Sequence, residues 1–187
     1  MSNPVNFPHY DAEALYRVLL EQVRAGLLHG SDAVTPTPAP ETIIVGIHSG
    51  GAWIAERLAA DLGLAGRLGF IDVSFYRDDF AEKGLHAGLK PTQLSLNIDG
   101  ATILLVDDVL YTGRTTRAAL NELFDYGRPA KIMLAALFDR GGRQLPVAAD
   151  FVAATEFVPA SQELVLQRAD DGQFILTRTQ RSDDTHA

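Results

Sequence analysis

From Thr42 onward the chain alternates short, uninterrupted apolar runs with segments of helical periodicity, and this alternation constrains the fold more than any other feature. An apolar run without polar interruption suits a strand buried on both faces, and such strands need helices above and below them. Residues 43–47 form the first run. It leads through His48-Ser49-Gly50-Gly51 into a helix with Ile54, Leu58 and Leu62 on one stripe and Gly63 at its end. Residues 70–75 predict a second strand and 103–106 a third. A helix over 115–126 follows, with Leu120, Leu123 and Phe124 facing inward and Gly127 and Pro129 closing it. Residues 131–138 and 151–153 give two more strands. Residues 164–168 pair with 174–178 through Asp171-Gly172, either along the sheet edge or as a small separate flap. The class expected is α/β, a central parallel sheet flanked by helices with a C-terminal hairpin.

The rest of the chain frames this unit. Leu15, Val18, Leu19 and Val23 recur at helical spacing after Asp11, an N-cap residue, so an amphipathic helix opens the fold and runs to about Leu28. Residues 30–41, GSDAVTPTPAPE, carry three prolines and read as an extended connector. Residues 76–97 show no sustained period and predict a long loop or irregular hairpin, while 181–187 read as a polar tail. A chain of 187 residues with 47% hydrophobic residues buries one substantial core, so residues 1–187 are taken as a single domain. The formal charge of −8 opposes nonspecific attachment to nucleic acid or to an anionic membrane. With no cysteine, disulfides, thiolate metal sites and a cysteine nucleophile are excluded together. The first residues lack the basic start and apolar run of a secretory signal, and the expected location is the cytoplasm.

The chemistry concentrates in residues 103–115, ILLVDDVLYTGRT. Four apolar residues predict a strand that ends in two carboxylates, and ligands of open α/β sheets bind at the carboxyl ends of strands. Tyr111-Thr112-Gly113-Arg114-Thr115 then offers consecutive amides and hydroxyls at a helix N-terminus, where the partial positive charge favours a phosphate. Asp107 and Asp108, as ionised acceptors, suit two vicinal hydroxyls such as those of a ribose. An isolated Asp-Asp pair could equally begin a polar turn and Thr112 merely cap a helix. Here strand, paired acids, glycine turn and hydroxyl-rich helix start coincide, which favours a sugar phosphate. There is no Gly-Lys-Ser/Thr of a Walker loop and no dinucleotide fingerprint.

These residues resemble the phosphoribosyl diphosphate signature of type I phosphoribosyltransferases. VDDVLYTGRTTRAAL and DYGRPAKIMLAALFDRGGRQLPVAADFV resemble, more narrowly, the PyrR family of pyrimidine operon regulators with uracil phosphoribosyltransferase activity. The likeness extends to Val45-Gly46-Ile47 with the turn after it and to Phe75-Tyr76-Arg77-Asp78-Asp79. It implies a type I phosphoribosyltransferase fold with a flexible loop or hood, and transfer of phosphoribose from the diphosphate to uracil with release of pyrophosphate. Mg²⁺ would ride on the substrate phosphates, since no His/Asp cluster has the spacing of a protein-only metal site. By the same likeness Asp107 and Asp108 take the ribose hydroxyls, while Tyr111, Thr112, Gly113, Arg114 and Thr115 hold the 5′-phosphate. His48, Ser49, Gly50 and Gly51 approach the pyrophosphate, Arg77 opens a loop that closes over the site, and Asp139 and Arg140 border the base pocket. Arg77 with its aspartates otherwise reads as a solvated charge run, Asp139-Arg140 as a surface ion pair, His48 as a turn histidine and Trp53 as packing. A homodimer or higher homo-oligomer is implied as well.

The chain departs from the family pattern in three places. Gly50 stands where the family's pyrophosphate turn usually carries a basic residue, a charge that His48, Lys83 or Lys90 would have to replace. The opening helix reads Glu13-Ala14-Leu15-Tyr16-Arg17-Val18 instead of a basic Ala-Leu-Thr-Arg-Ile-Ala pattern. Thr155-Glu156-Phe157 replaces a glycine-lysine-asparagine, adding negative charge. The last two changes remove positive charge from where RNA would be held. Two functions follow: an enzyme acting on uracil, with another pyrimidine or a purine as variants, and a nucleotide-sensing RNA-binding regulator using the same pocket.

Overall fold

The computed structural model describes residues 9–28, 41–73 and 92–181. Among them, helix α1 (Ala12–Leu28) is followed by β1 (Thr42–Ile47), α2 (Gly50–Asp61), a short 3-10 turn (Ala65–Arg67) and β2 (Leu68–Ile71). Then come β3 (Thr102–Leu110), α3 (Arg114–Tyr126), β4 (Lys131–Asp139), β5 (Phe151–Thr155), β6 (Gln162–Arg168) and β7 (Phe174–Gln180). Arg77, Lys83, Lys90, the connector over 30–40 and residues 182–187 lie outside the described residues.

Strands β1 to β5 form one parallel sheet in the order β2-β1-β3-β4-β5. Because side chains alternate along a strand, each central strand feeds two cores. Ile44, Leu104, Val106 and Ala135 pack with α1, α2 and the hairpin on one face. Ile43, Val45, Ile103, Leu105, Leu134 and Ala136 pack with α3 and with Leu94 and Ile98 on the other. All six residues of β1 are buried, as a parallel strand covered on both faces requires. The chain steps from β1 outward to β2 and then returns to the opposite side for β3. The loops after β1 and β3 therefore diverge at their carboxyl ends, leaving the crevice where ligands of such sheets bind.

Local sequence explains most boundaries. The Ala14 amide donates to Asp11 Oδ1 at 2.9 Å, so Asp11 caps α1 as its position predicts. Three expectations are corrected. Strand β3 does not end at Val106: it runs through both acids, with Asp107 opposite Ala136, Val109 opposite Phe138 and Leu110 opposite Asp139, because the equally long β4 supplies a partner for each. Strand β2 begins at Leu68 and ends at Ile71, since residues 68–71 lie in register with 44–47 of β1. Phe124 does not face inward. It is 44% exposed with the Arg128 guanidinium 5.9 Å above its ring, whereas Leu123 is wholly buried.

The hairpin β6-β7 forms its own two-stranded sheet, which settles the two alternatives in favour of a flap. Side chains and α1 moor it. Glu13 accepts from the Phe174 amide and from Arg57 Nη1, both at 2.8 Å, and the Tyr16 ring meets Phe174 edge-on. At the other end Arg178 Nη1 donates to Glu156 at 2.7 Å and to the Tyr10 hydroxyl at 3.2 Å, and that hydroxyl donates to Glu156 at 3.0 Å. The negative charge that Glu156 brings is therefore paired.

Candidate active site

Asp107 sits near the carboxyl end of β3, 5% exposed, and its Oδ1 accepts from the Asp108 amide at 3.0 Å. The backbone then leaves the sheet and turns into α3 at Gly113, whose φ of +91° is a left-handed conformation that a Cβ would strain. This turn opens α3, whose first amides have no carbonyl within the helix to bond. Thr112 is buried, and its hydroxyl accepts from the Arg114 amide at 3.3 Å. Its carbonyl accepts from the Gln144 and Leu145 amides at 3.0 and 3.1 Å, so the segment after β4 braces the turn from outside. Arg114 reaches toward that brace, giving Nε and Nη2 to Gln144 Oε1 at 3.1 and 2.8 Å.

The turn after β1 closes from the other side of the crevice. The peptide joining His48 to Ser49 is cis, and the His48 ring lies 5.5 Å from that of Phe70. A Cβ on Gly50 would sit 2.3 Å from Asp108 Oδ2, and one on Gly51 would sit 2.4 Å from the Val106 carbonyl oxygen. Both glycines let the start of α2 approach the acids of β3 without intervening atoms. With Asp108 in this position there is no room for a side chain at residue 50, which gives a steric reason for the glycine there.

Asp107, Tyr111, Thr112, Gly113 and Thr115 line one pocket together with Arg140. His48 to Gly51 and Asp108 border the crevice beside this pocket and do not line it. Asp139 does not line it either. Its Oδ1 accepts from the Gly141 amide at 2.9 Å and its Oδ2 pairs with Arg143, which also donates to the Tyr111 carbonyl and, at 2.9 Å, to that of Val147. The far wall consists of Glu163 and Leu164 from β6 and Arg181 beyond β7, which sequence reasoning missed. Arg181 does not begin a free polar tail, since its amide donates to the Ser161 carbonyl at 2.8 Å. Arg143 and Arg181 stand out in sequence only as basic residues, and nothing local to Glu163 marks it.

The phosphoribosyl transferase domain model matches residues 31–165. The bifunctional protein PyrR of Ralstonia nicotianae is 51% identical over 171 residues, covering 90% of this chain and 94% of that one. The chain belongs to the PyrR family. The bifunctional protein PyrR of Pseudomonas aeruginosa shares 57% identity over 111 residues, 59% of this chain and 65% of its own. Among solved structures, the hypoxanthine phosphoribosyl transferase of Trypanosoma cruzi superposes with a TM-score of 0.64 at 18% identity, covering 94% and 93% of the two chains, a likeness of fold. This PyrR-family chain thus has the type I phosphoribosyltransferase architecture, with β6-β7 as its hairpin lobe. Among the described residues no helix is long and apolar enough to cross a membrane.

Proposed function

We propose that the chain is a cytoplasmic uracil phosphoribosyltransferase that moves 5-phosphoribose from phosphoribosyl diphosphate to N1 of uracil, yielding UMP and pyrophosphate. The observation that carries the reading is one pocket lined by both the buried carboxylate of Asp107 and the glycine turn that opens α3. A sugar with a terminal phosphate satisfies both at once. Membership of a family whose named members are bifunctional PyrR proteins supports the same conclusion.

In this reading the 5′-phosphate accepts from the amides and hydroxyls of residues 112–115, and the ribose hydroxyls donate to Asp107 and Asp108. Phosphate binding fixes the sugar, so C1′ is presented to the base instead of diffusing. As the C1′–O bond breaks, its electron pair leaves with the pyrophosphate and the ring gains oxocarbenium character. The paired acids place negative charge beside it. N1 of uracil then bonds to C1′ and loses its proton. Mg²⁺ bound with the diphosphate would neutralise the leaving group's charge. Two adjacent carboxylates on β3, both oxygen donors, suit a hard cation that keeps its waters and substrate phosphates, and among the described residues no cluster of three acids or histidines offers a cage of its own. In the same reading His48, Ser49, Gly50 and Gly51 would meet the departing pyrophosphate, and Arg140 would stand on the side of the base.

Incubating the purified protein with Mg²⁺, phosphoribosyl diphosphate and uracil should give UMP and stoichiometric pyrophosphate, resolved by chromatography. Cytosine, orotate, hypoxanthine and guanine serve as parallel substrates. No nucleotide from any base removes the enzyme reading, and a nucleotide from another base alone corrects the specificity.

A further inference from the structure

We infer that Arg140 is a positioning residue that spans the pocket and fixes the hairpin wall, the face opposite the glycine turn, against the turn that would grip the phosphate. The inference rests on the phosphoribosyltransferase reading and gives Arg140 a role different from direct contact with the base.

Arg140 follows β4 directly, and its amide donates to the Leu110 carbonyl at 3.0 Å, anchoring it to the end of β3. Its side chain is almost fully buried, at 4% residue exposure, and its guanidinium reaches both walls. On one side its guanidinium carbon lies over the Tyr111 ring, 4.1 Å from the centroid, and Tyr111 immediately precedes Thr112 and Gly113. On the other side Nη2 donates to the carbonyls of Val158, Pro159 and Gln162 at 3.1, 2.8 and 2.9 Å. Those carbonyls lie on the chain entering the hairpin, and the next two residues, Glu163 and Leu164, line the pocket. A planar fork that stacks on one face while donating in its own plane joins two such surfaces in a way a lysine cannot reproduce.

Arg140 therefore sets the distance between the phosphate turn and the hairpin wall, two surfaces that a phosphoribosyl nucleotide must touch together. The connection is not carried by the sheet, because β6-β7 makes no ladder with it. Releasing the strut should leave each wall intact while loosening their separation, and binding of the small base should suffer most.

The test compares Arg140→Lys with Asp99→Ala in steady-state kinetics and thermal melts. Asp99 accepts the Arg128 amide at 2.7 Å in the loop before β3, at the amino-terminal end of the strands and away from the pocket, and serves as a stability control. Arg140→Lys should raise KM for uracil about tenfold and KM for phosphoribosyl diphosphate about threefold, with kcat held within about threefold. Asp99→Ala should lower Tm and leave both KM values as in the wild type. A lowered Tm with unchanged KM values in Arg140→Lys would show a fold staple only and overturn the inference. If Arg140→Lys does not fold, Tyr111→Leu, which removes the stacking surface, should give the same rise in KM for uracil, and an unchanged value there overturns it equally. A wild type active with another base is tested with that base. A wild type inactive with every base removes the enzyme reading first and this assignment with it.

Discussion

Asp107 and Asp108 are neighbours in sequence but not in environment. Asp107 is buried against its own backbone within the pocket, and Asp108 is half-buried against Gly50 in the crevice beside it. Replacing both by asparagine keeps the volume and removes the charge that would stabilise a cationic sugar. The double variant Asp107→Asn/Asp108→Asn should lose about 10²- to 10³-fold in kcat while its melting curve stays close to the wild type, measured by UMP formation and circular dichroism. The two glycines after His48 should fail in different ways. Gly50→Ala places a methyl group 2.3 Å from Asp108 Oδ2 and 2.8 Å from Asp108 Cβ. The carboxylate can turn away but the Cβ contact requires a backbone shift, so KM for phosphoribosyl diphosphate should rise together with a modest fall in Tm. Gly51→Ala meets the backbone carbonyl of Val106, which cannot swing aside. It should cost about 1–3 kcal/mol of stability by overpacking, read as a fall in Tm.

At the level of elements, α1 and the hairpin are joined through a carboxylate whose protonation matters. Arg57, with the Phe174 amide adding to it, holds the Glu13 carboxyl below the usual carboxylate range. A depressed carboxylate contributes stability that is complete above its unfolded value, about pH 4.3, and is lost as pH falls through the lower folded value. Acid unfolding followed by fluorescence should therefore show the hairpin loosening below about pH 4. Glu13→Gln should flatten that acid limb and lower Tm at neutral pH. The hairpin has no ladder bonds to the main sheet, so its amides should exchange with deuterium sooner than those of β3 and β4. Equal protection of β7 and β3 would contradict that view of the lobe.

Across the whole molecule, the strand order places the divergent loops after β1 and β3 at one crevice, and the hairpin supplies the wall that the sheet lacks. The amino-acid sequence alone determined the β-α alternation, the parallel class and the glycine turn that opens α3. Burial on two faces imposes a periodic pattern, and Asp107, Tyr111, Thr112, Gly113 and Thr115, which line the pocket, fall within one short segment. It was silent on how far β3 continues past its acids, because that depends on β4 offering a partner. It misplaced Phe124, because an apolar residue on a helix carries no mark of whether a neighbouring element covers it. It could not show that Gly50 makes room for Asp108, or that Arg140 reaches carbonyls some twenty residues ahead, at Val158, Pro159 and Gln162. Tertiary structure alone decided these points, since contacts between segments far apart in the chain leave no period in either of them.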